Sequence, residues 1–121
     1  MNATSILLEA IAEARQPAKA MTAAEITDAR LDVISRAREV LERAVSEHDA
    51  WRGRGSLFPV TAAMTDLRYA LRYWDLAVSE DEKDAAVRNV GYWSGQVVAA
   101  FEEVMGPEAA AYVSGTEGGE Q

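Results

Sequence analysis

The chain has 121 residues and a formal net charge of −8, from 12 basic and 20 acidic side chains. This length is enough for one domain with a single hydrophobic core. The sequence contains no cysteine and only one histidine. It therefore excludes disulfides, cysteine nucleophiles, iron–sulfur clusters, and zinc sites built on cysteine or on two histidines, and we expect no metal and no cofactor.

The N-terminal region lacks the features of a secretory signal. Its apolar run 6–8 has no basic residue before it and ends at Glu9. The longest stretch without a charged residue, 89–101, has 13 residues, whereas a membrane-spanning helix needs about 20. We therefore expect a cytoplasmic protein of bacterial or phage origin that makes no contact with a membrane.

Apolar residues recur at helical spacing in two segments of the N-terminal half. The first predicted helix spans about 5–16 and ends before Pro17. The second spans about 22–50 and begins with Thr22 and Glu25, which have the spacing of a capping box. Its apolar stripe consists of Ile26, Val33, Ala37, Val40, Ala44 and Trp51.

A segment with two glycines and a proline, 51–59, separates these helices from the rest of the chain. A third helix is predicted over about 61–78. Its apolar stripe is Val60, Met64, Leu67, Leu71, Trp74 and Val78. Ser79 and Glu82 form a second capping-box pattern at the start of a fourth helix, about 80–105, and Gly106 follows that helix.

These patterns predict an all-α fold, a bundle of four main helices (about 5–16, 22–50, 61–78 and 80–105) with a short C-terminal helical turn. We expect one helical-bundle domain over 1–115. The acidic, glycine-rich residues 116–121 are predicted to be a disordered tail.

Arg43 and His48 have the spacing Arg-x4-His. This spacing resembles the motif of the HEPN ribonucleases, which are helical bundles that cleave RNA in a dimer-interface cleft. The resemblance implies that Arg43 stabilises the charge developing on the phosphate and that His48 acts as acid or base. Ala44 follows the arginine where the family usually has a polar residue. We prefer the alternative that His48 is structural, beside Trp51 in the last turn of its helix.

Trp51, Arg52 and Gly53 follow a long helix. The triplet resembles the turn of the WXG100 proteins, which are two-helix hairpins exported by type VII secretion. The family's export signal, Tyr-x-x-x-Asp/Glu, is not matched, because Thr116 stands four residues after Tyr112. The four predicted helices are also more than the two helices of a hairpin. This resemblance is a further alternative. The preferred interpretation is that Trp51 covers the core.

The middle of the chain is its basic part. A candidate anion patch consists of Arg52, Arg54, Arg68 and Arg72. Arginines among aromatic residues such as Tyr69 and Tyr73 can bind phosphates and stack on bases. We expect instead that the arginines pair with Asp66, with Asp75 and with the acidic start of the fourth helix. Because the whole chain is acidic, we expect no nucleic-acid binding.

The fourth predicted helix contains a strip formed by Val87, Gly91, Gly95 and Val98. Each glycine inside a helix costs about 0.8–1 kcal/mol relative to alanine, so two on one face suggest that another helix approaches closely. This approach is either a crossing inside the bundle or a contact with another chain. We expect the latter, a homodimer or a partner helix docked on the strip.

No candidate catalytic group is supported by more than its spacing, and the acidic charge suits basic protein partners. We therefore expect a small, acidic, non-enzymatic protein–protein interaction module. It would serve as a regulator, an inhibitor or a structural subunit, of the kind that phages and mobile elements encode. The HEPN-like ribonuclease and the WXG100-like protein remain the alternatives.

Overall fold

The computed structural model describes residues 21–116, and all regular elements in this range are α-helices. This result confirms the all-α prediction. The helices are α1 (Ala23–Ala50), α2 (Phe58–Leu76), α3 (Glu80–Met105) and α4 (Pro107–Ser114). The predicted helix 5–16 and residues 117–121 of the predicted tail lie outside the described residues.

The chain divides into two compact units, Met1–Leu31 and Asp32–Gln121, and α1 contains residues of both. In the first unit, the start of α1 is fixed by the predicted capping box. The Thr22 hydroxyl accepts a hydrogen bond from the Glu25 N–H at 3.1 Å, and the Glu25 carboxylate accepts one from the Thr22 N–H at 3.1 Å. The two bonds satisfy N–H groups that a helix start otherwise leaves unpaired.

In the second unit, the same device starts α3. Ser79 Oγ accepts from the Glu82 N–H at 3.1 Å, and Glu82 Oε1 accepts from the Ser79 N–H at 3.0 Å. Three acidic residues in the first turn of α3 also favour this helix end, where the dipole is positive. The predicted bounds of this helix, 80–105, are confirmed.

The third predicted helix, about 61–78, is present and is shifted by two to three residues towards the N-terminus. The helix begins at Phe58, because Pro59 has no N–H to leave unpaired in the first turn, and the Thr61 N–H already donates to the Leu57 carbonyl at 2.9 Å. It ends at Leu76, since Ala77 is extended with ψ 133°. Val78 therefore lies beyond the helix and is exposed, and it does not belong to the apolar stripe.

The predicted C-terminal helical turn is present as α4. Gly106, with φ 98°, separates α3 from α4, and Gly115, with φ 84°, ends α4 in the left-handed conformation that glycine adopts at little cost. The Gly115 N–H donates to the carbonyls of Ala111 and Tyr112, each at 3.1 Å.

One hydrophobic core joins the helices of the second unit. In this unit α2 packs against α3, and α3 packs against α4. The largest fully buried side chains are Phe101, Ile34, Leu67, Val60, Val90, Val97 and Val113. They come from all four helices. Val60 and Leu67 belong to the predicted stripe of 61–78, and Ala37, Val40 and Ala44 of the predicted stripe of 22–50 are buried as well. None of the described helices combines the length and the apolar character that crossing a bilayer requires.

Candidate functional site: a groove between α2 and α3

The structure does not bring Arg43 and His48 together. Helix α1 continues through both positions, and side chains five residues apart on a helix point about 140° away from each other. His48 Nε2 lies 3.1 Å from Thr61 Oγ1 on α2. Arg43 lies instead beside Gly115, at the end of α4. This geometry favours the structural interpretation of His48, although its main partner is Thr61.

Arg43 has a structural explanation of its own. Its guanidinium approaches the backbone so closely that a Cβ built on Gly115 would be 2.5 Å from the Arg43 Nη1 atom. The last carbonyls of α4 carry a partial negative charge, which a cation at this end stabilises. A polar depression of about 420 Å³ adjoins Arg43 and is lined by two carboxylates, Glu39 and Glu42. Among the described residues, no group of histidine, aspartate and glutamate is placed to hold a metal ion.

The arginines of the candidate anion patch make separate contacts. Arg52 pairs with Asp49 at 2.9 Å, and the Arg54 guanidinium lies 5.3 Å from the centre of the Trp51 rings, in a cation–π contact.

Arg68 and Arg72 lie one turn apart on the exposed surface of α2. Asp75, which was expected to pair with the patch, is bound by Arg38 of α1 at 3.2 Å. That pairing prediction is therefore wrong for Asp75, and each loop arginine is held by a neighbour in its own turn.

The glycine strip is open on its outer side. A Cβ built on Gly91 or on Gly95 meets no atom of the described chain within 4 Å. Val87 and Val98, by contrast, are half-buried against the core. Within the described residues, the glycines therefore do not serve a crossing inside the bundle. A partner docked on Val87, Gly91, Gly95 and Val98 stays a prediction, but the exposed part of this strip is mostly backbone.

An elongated concave surface in the second unit lies between α2 and α3. Two depressions, of about 280 and 320 Å³, share Asp66 and Trp93 and so form one continuous groove, which we call the α2–α3 groove. Its lining on α2 runs from Pro59 to Tyr73, a length of about 21 Å at 1.5 Å per residue. Small side chains line much of it: Ala62, Ala63 and Ala70 on α2, and Ala99 and Ala100 on α3.

Aromatic side chains cluster around one of the two depressions. Tyr69, Tyr73 and Trp93 line it, and Tyr92 packs edge-on against Trp93, with ring centroids 4.9 Å apart and an interplanar angle of 81°. Tyr69 and Tyr92 are 69% and 58% exposed. Tyrosine and tryptophan supply much of the binding energy at protein interfaces, because they bury large apolar areas and keep a polar group for hydrogen bonding.

The aromatic end continues into a second apolar stripe on the outer face of α2. Phe58 is 75% exposed and Leu76 is 68% exposed, at the two ends of the helix. Together with Ala62, Tyr69 and Tyr73, they recur at helical spacing. The inner stripe of α2 fills the core, so this outer stripe has no structural task within the described chain.

The outer stripe was not among the sequence predictions, although its helical spacing is present in the sequence. The sequence predictions placed Tyr69 and Tyr73 among the arginines of the candidate anion patch, with Tyr73 at the edge of the core as the alternative.

Among the described residues, the charged side chains that line the groove are both acidic, Asp66 and Glu103, and neither lysine nor arginine lines it. The remaining polar side chains there are the amides Asn89 and Gln96. The groove thus offers aromatic and apolar contact surface with two carboxylates, and its described lining contains no nucleophile paired with a base.

Comparisons with protein-family models, with curated proteins and with solved structures found no match.

Proposed function

We propose that this protein is a non-enzymatic protein–protein interaction module and that the α2–α3 groove is its binding surface. The observation that carries the proposal is the cluster of exposed aromatic rings, Tyr69, Tyr73 and Tyr92, around Trp93. Contiguous apolar surface of this kind, rimmed by polar groups, marks interaction sites on soluble domains.

The composition of the groove supports binding rather than catalysis. Acid–base and nucleophilic mechanisms need a titratable or nucleophilic group held by a second group in hydrogen-bond reach. The lining of the groove consists mainly of alanine and aromatic side chains, with Asp66 and Glu103 as its carboxylates. A protein with such a surface acts by holding a partner, as a regulator, an inhibitor or a structural subunit does.

The groove is a better binding surface than the glycine strip. At Gly91 and Gly95 the exposed surface has no side chain, so a partner would bury little apolar area there. The groove offers several rings, and each exposed aromatic side chain can bury about 150–250 Å².

Peptide selection on the full chain tests this proposal without knowledge of the natural partner. A library of displayed random peptides is selected on the wild-type protein, and the enriched peptides are measured against Tyr69→Ser and against Val45→Ser. Val45 is an exposed apolar residue of α1 that does not line the groove, so it is a matched control.

We expect the enriched peptides to bind the wild type and Val45→Ser equally and to lose about tenfold or more of their affinity for Tyr69→Ser. Peptides that bind Tyr69→Ser as tightly as the wild type would contradict the proposal. A selection that enriches no peptide would contradict it as well.

A further inference from the structure

We propose that the occupant of the α2–α3 groove is a basic amphipathic helix of a protein partner. This inference rests on the proposed function and adds the chemical nature of the partner. Its evidence is the length of the groove, the distribution of large and small side chains along it, and the sign of its charges.

The dimensions of the groove suit one helix. Its length of about 21 Å corresponds to about 14 helical residues, or four turns. A helix that binds in a groove inserts apolar side chains at positions i, i+3 or i+4, and i+7. Two connected depressions of about 280 and 320 Å³ can each accept such an apolar side chain.

The two ends of the groove differ in the size of their side chains. At one end, Tyr69 and Tyr73 line the depression, and together with Trp93, which both depressions share, they can enclose a large apolar anchor. At the other end, Ala62 and Ala99 line the groove, and such small side chains let a helix backbone approach closely. A helix whose bulkiest apolar residue lies towards the aromatic end is therefore the complementary shape.

The charges of the groove select a basic helix. Asp66 belongs to the lining of both depressions, and Glu103 lines the depression at the alanine-rich end. Lysine and arginine can lay their aliphatic stems along an apolar wall and place the charged group at the rim, where these two carboxylates lie. The net charge of −8 also attracts a basic partner over a longer range.

The same charges disfavour two other occupants. A second copy of this chain would carry the same charge of −8 and an identical acidic groove. A nucleic acid would bring its phosphates towards Asp66 and Glu103, whereas nucleic-acid binding depends on neutralising phosphates with lysine and arginine.

Two designed peptides test the inference directly. Both are helical, about 16 residues long, with leucine at the same groove-facing positions. One has lysine at the flanking positions and the other has glutamate. Binding to the full chain is measured by fluorescence anisotropy at several salt concentrations. We expect micromolar binding of the lysine peptide, weakened by salt, and binding of the glutamate peptide that is weaker by about tenfold or more.

Charge-reversal variants then locate the effect. Asp66→Lys combined with Glu103→Lys is expected to lower the affinity for the lysine peptide by about tenfold or more. The matched control is Glu39→Lys combined with Glu42→Lys. It changes the net charge by the same amount but lies in the polar depression beside Arg43, and it should change the affinity little.

Four outcomes would overturn the inference. The first two are a lysine peptide that fails to bind and a glutamate peptide that binds as tightly as the lysine peptide. The third is an equal loss of affinity in both double variants, because net charge alone would then explain the binding. The fourth is a concentration-dependent dimer in sedimentation that Tyr69→Ser abolishes, because a second copy would then be the occupant.

These results remain distinguishable from failure of the proposed function. If both peptides bind equally and Tyr69→Ser abolishes the binding of both, the groove is a binding surface whose partner is not basic. If the selection on random peptides also enriches nothing that depends on Tyr69, the groove is not a binding surface.

Discussion

Replacing Gly91 and Gly95 with alanine should make the protein more stable. Both glycines lie inside α3, and their φ angles are not positive. An added Cβ at either position meets no atom of the described chain within 4 Å. The substitution therefore removes the conformational freedom of glycine in the unfolded chain and creates no clash with the described residues of the folded one.

The magnitude follows from these two positions. Alanine is favoured over glycine by about 0.8–1 kcal/mol at each helix-interior site. Two methyl groups on an open helix surface contribute independently, so Gly91→Ala with Gly95→Ala should add about 2 kcal/mol to the free energy of unfolding. For a chain of 121 residues, this corresponds to a rise in Tm of about 8 °C.

Urea titration and thermal unfolding, followed by circular dichroism at several protein concentrations, measure this effect. The single variants should each give about half of it. A double variant that is less stable than the wild type would contradict this prediction, because a close neighbour must then lie against the glycines. A loss of self-association in that variant would place another chain on the strip formed by Val87, Gly91, Gly95 and Val98.

Three further predictions concern the core, the α3 start and the α4 end. Leu67→Ala should lower the free energy of unfolding by about 2–5 kcal/mol in urea, because Leu67 is fully buried; a negligible loss would mean that this face is not packed. Hydrogen bonds from the Ser79 backbone N–H and side chain hold the pKa of Glu82 below its usual value of 4.5. The wild type should therefore be more stable than Glu82→Gln at neutral pH, and this difference should disappear as the pH falls through the lowered pKa. A difference that persists in acid would contradict this prediction. Gly115→Ala should lower the free energy of unfolding by about 1–2 kcal/mol. The loss should be smaller in an Arg43→Ala background, where the side chain nearest to the new Cβ is absent. Equal losses in both backgrounds would show that Arg43 does not confine Gly115.

Local signals in the sequence were sufficient for most helix ends. The capping boxes at Thr22 and Ser79 are defined by two side chains three residues apart, and no distant part of the chain needs to be known to recognise them. The start of α2 was misplaced because Pro59 is compatible both with a loop and with the first turn of a helix. Its end was misplaced because Val78 continues the apolar spacing, although the cap at Ser79 requires extended backbone before α3.

The groove could not be derived in the same way, because it depends on which helix packs beside which. Tyr73 lies on α2 and Trp93 lies on α3, and no spacing in the sequence relates the two. Their common position becomes visible only when α2 and α3 lie side by side. What the sequence does contain is the second stripe of α2, from Phe58 to Leu76, whose exposed apolar residues the core does not need.

The placement of Arg43 and His48 illustrates the opposite case. Their spacing alone suggested a shared site, but an uninterrupted helix turns residues five apart away from each other. Each contacts a different residue: His48 lies at Thr61, and Arg43 lies at Gly115. A spacing becomes a site only where the backbone geometry allows both side chains to converge.

The most direct test of the account is NMR of the ¹⁵N-labelled full chain titrated with the lysine peptide. The indole N–H of Trp93 reports on the groove, whereas that of Trp51, which donates to Glu47 at 2.8 Å, reports on the end of α1. We predict that the Trp93 indole signal shifts while the Trp51 signal and the amide signals of Gly91 and Gly95 stay in place. Shifts at Gly91 and Gly95 with an unchanged Trp93 would place the partner on the glycine strip and contradict the account.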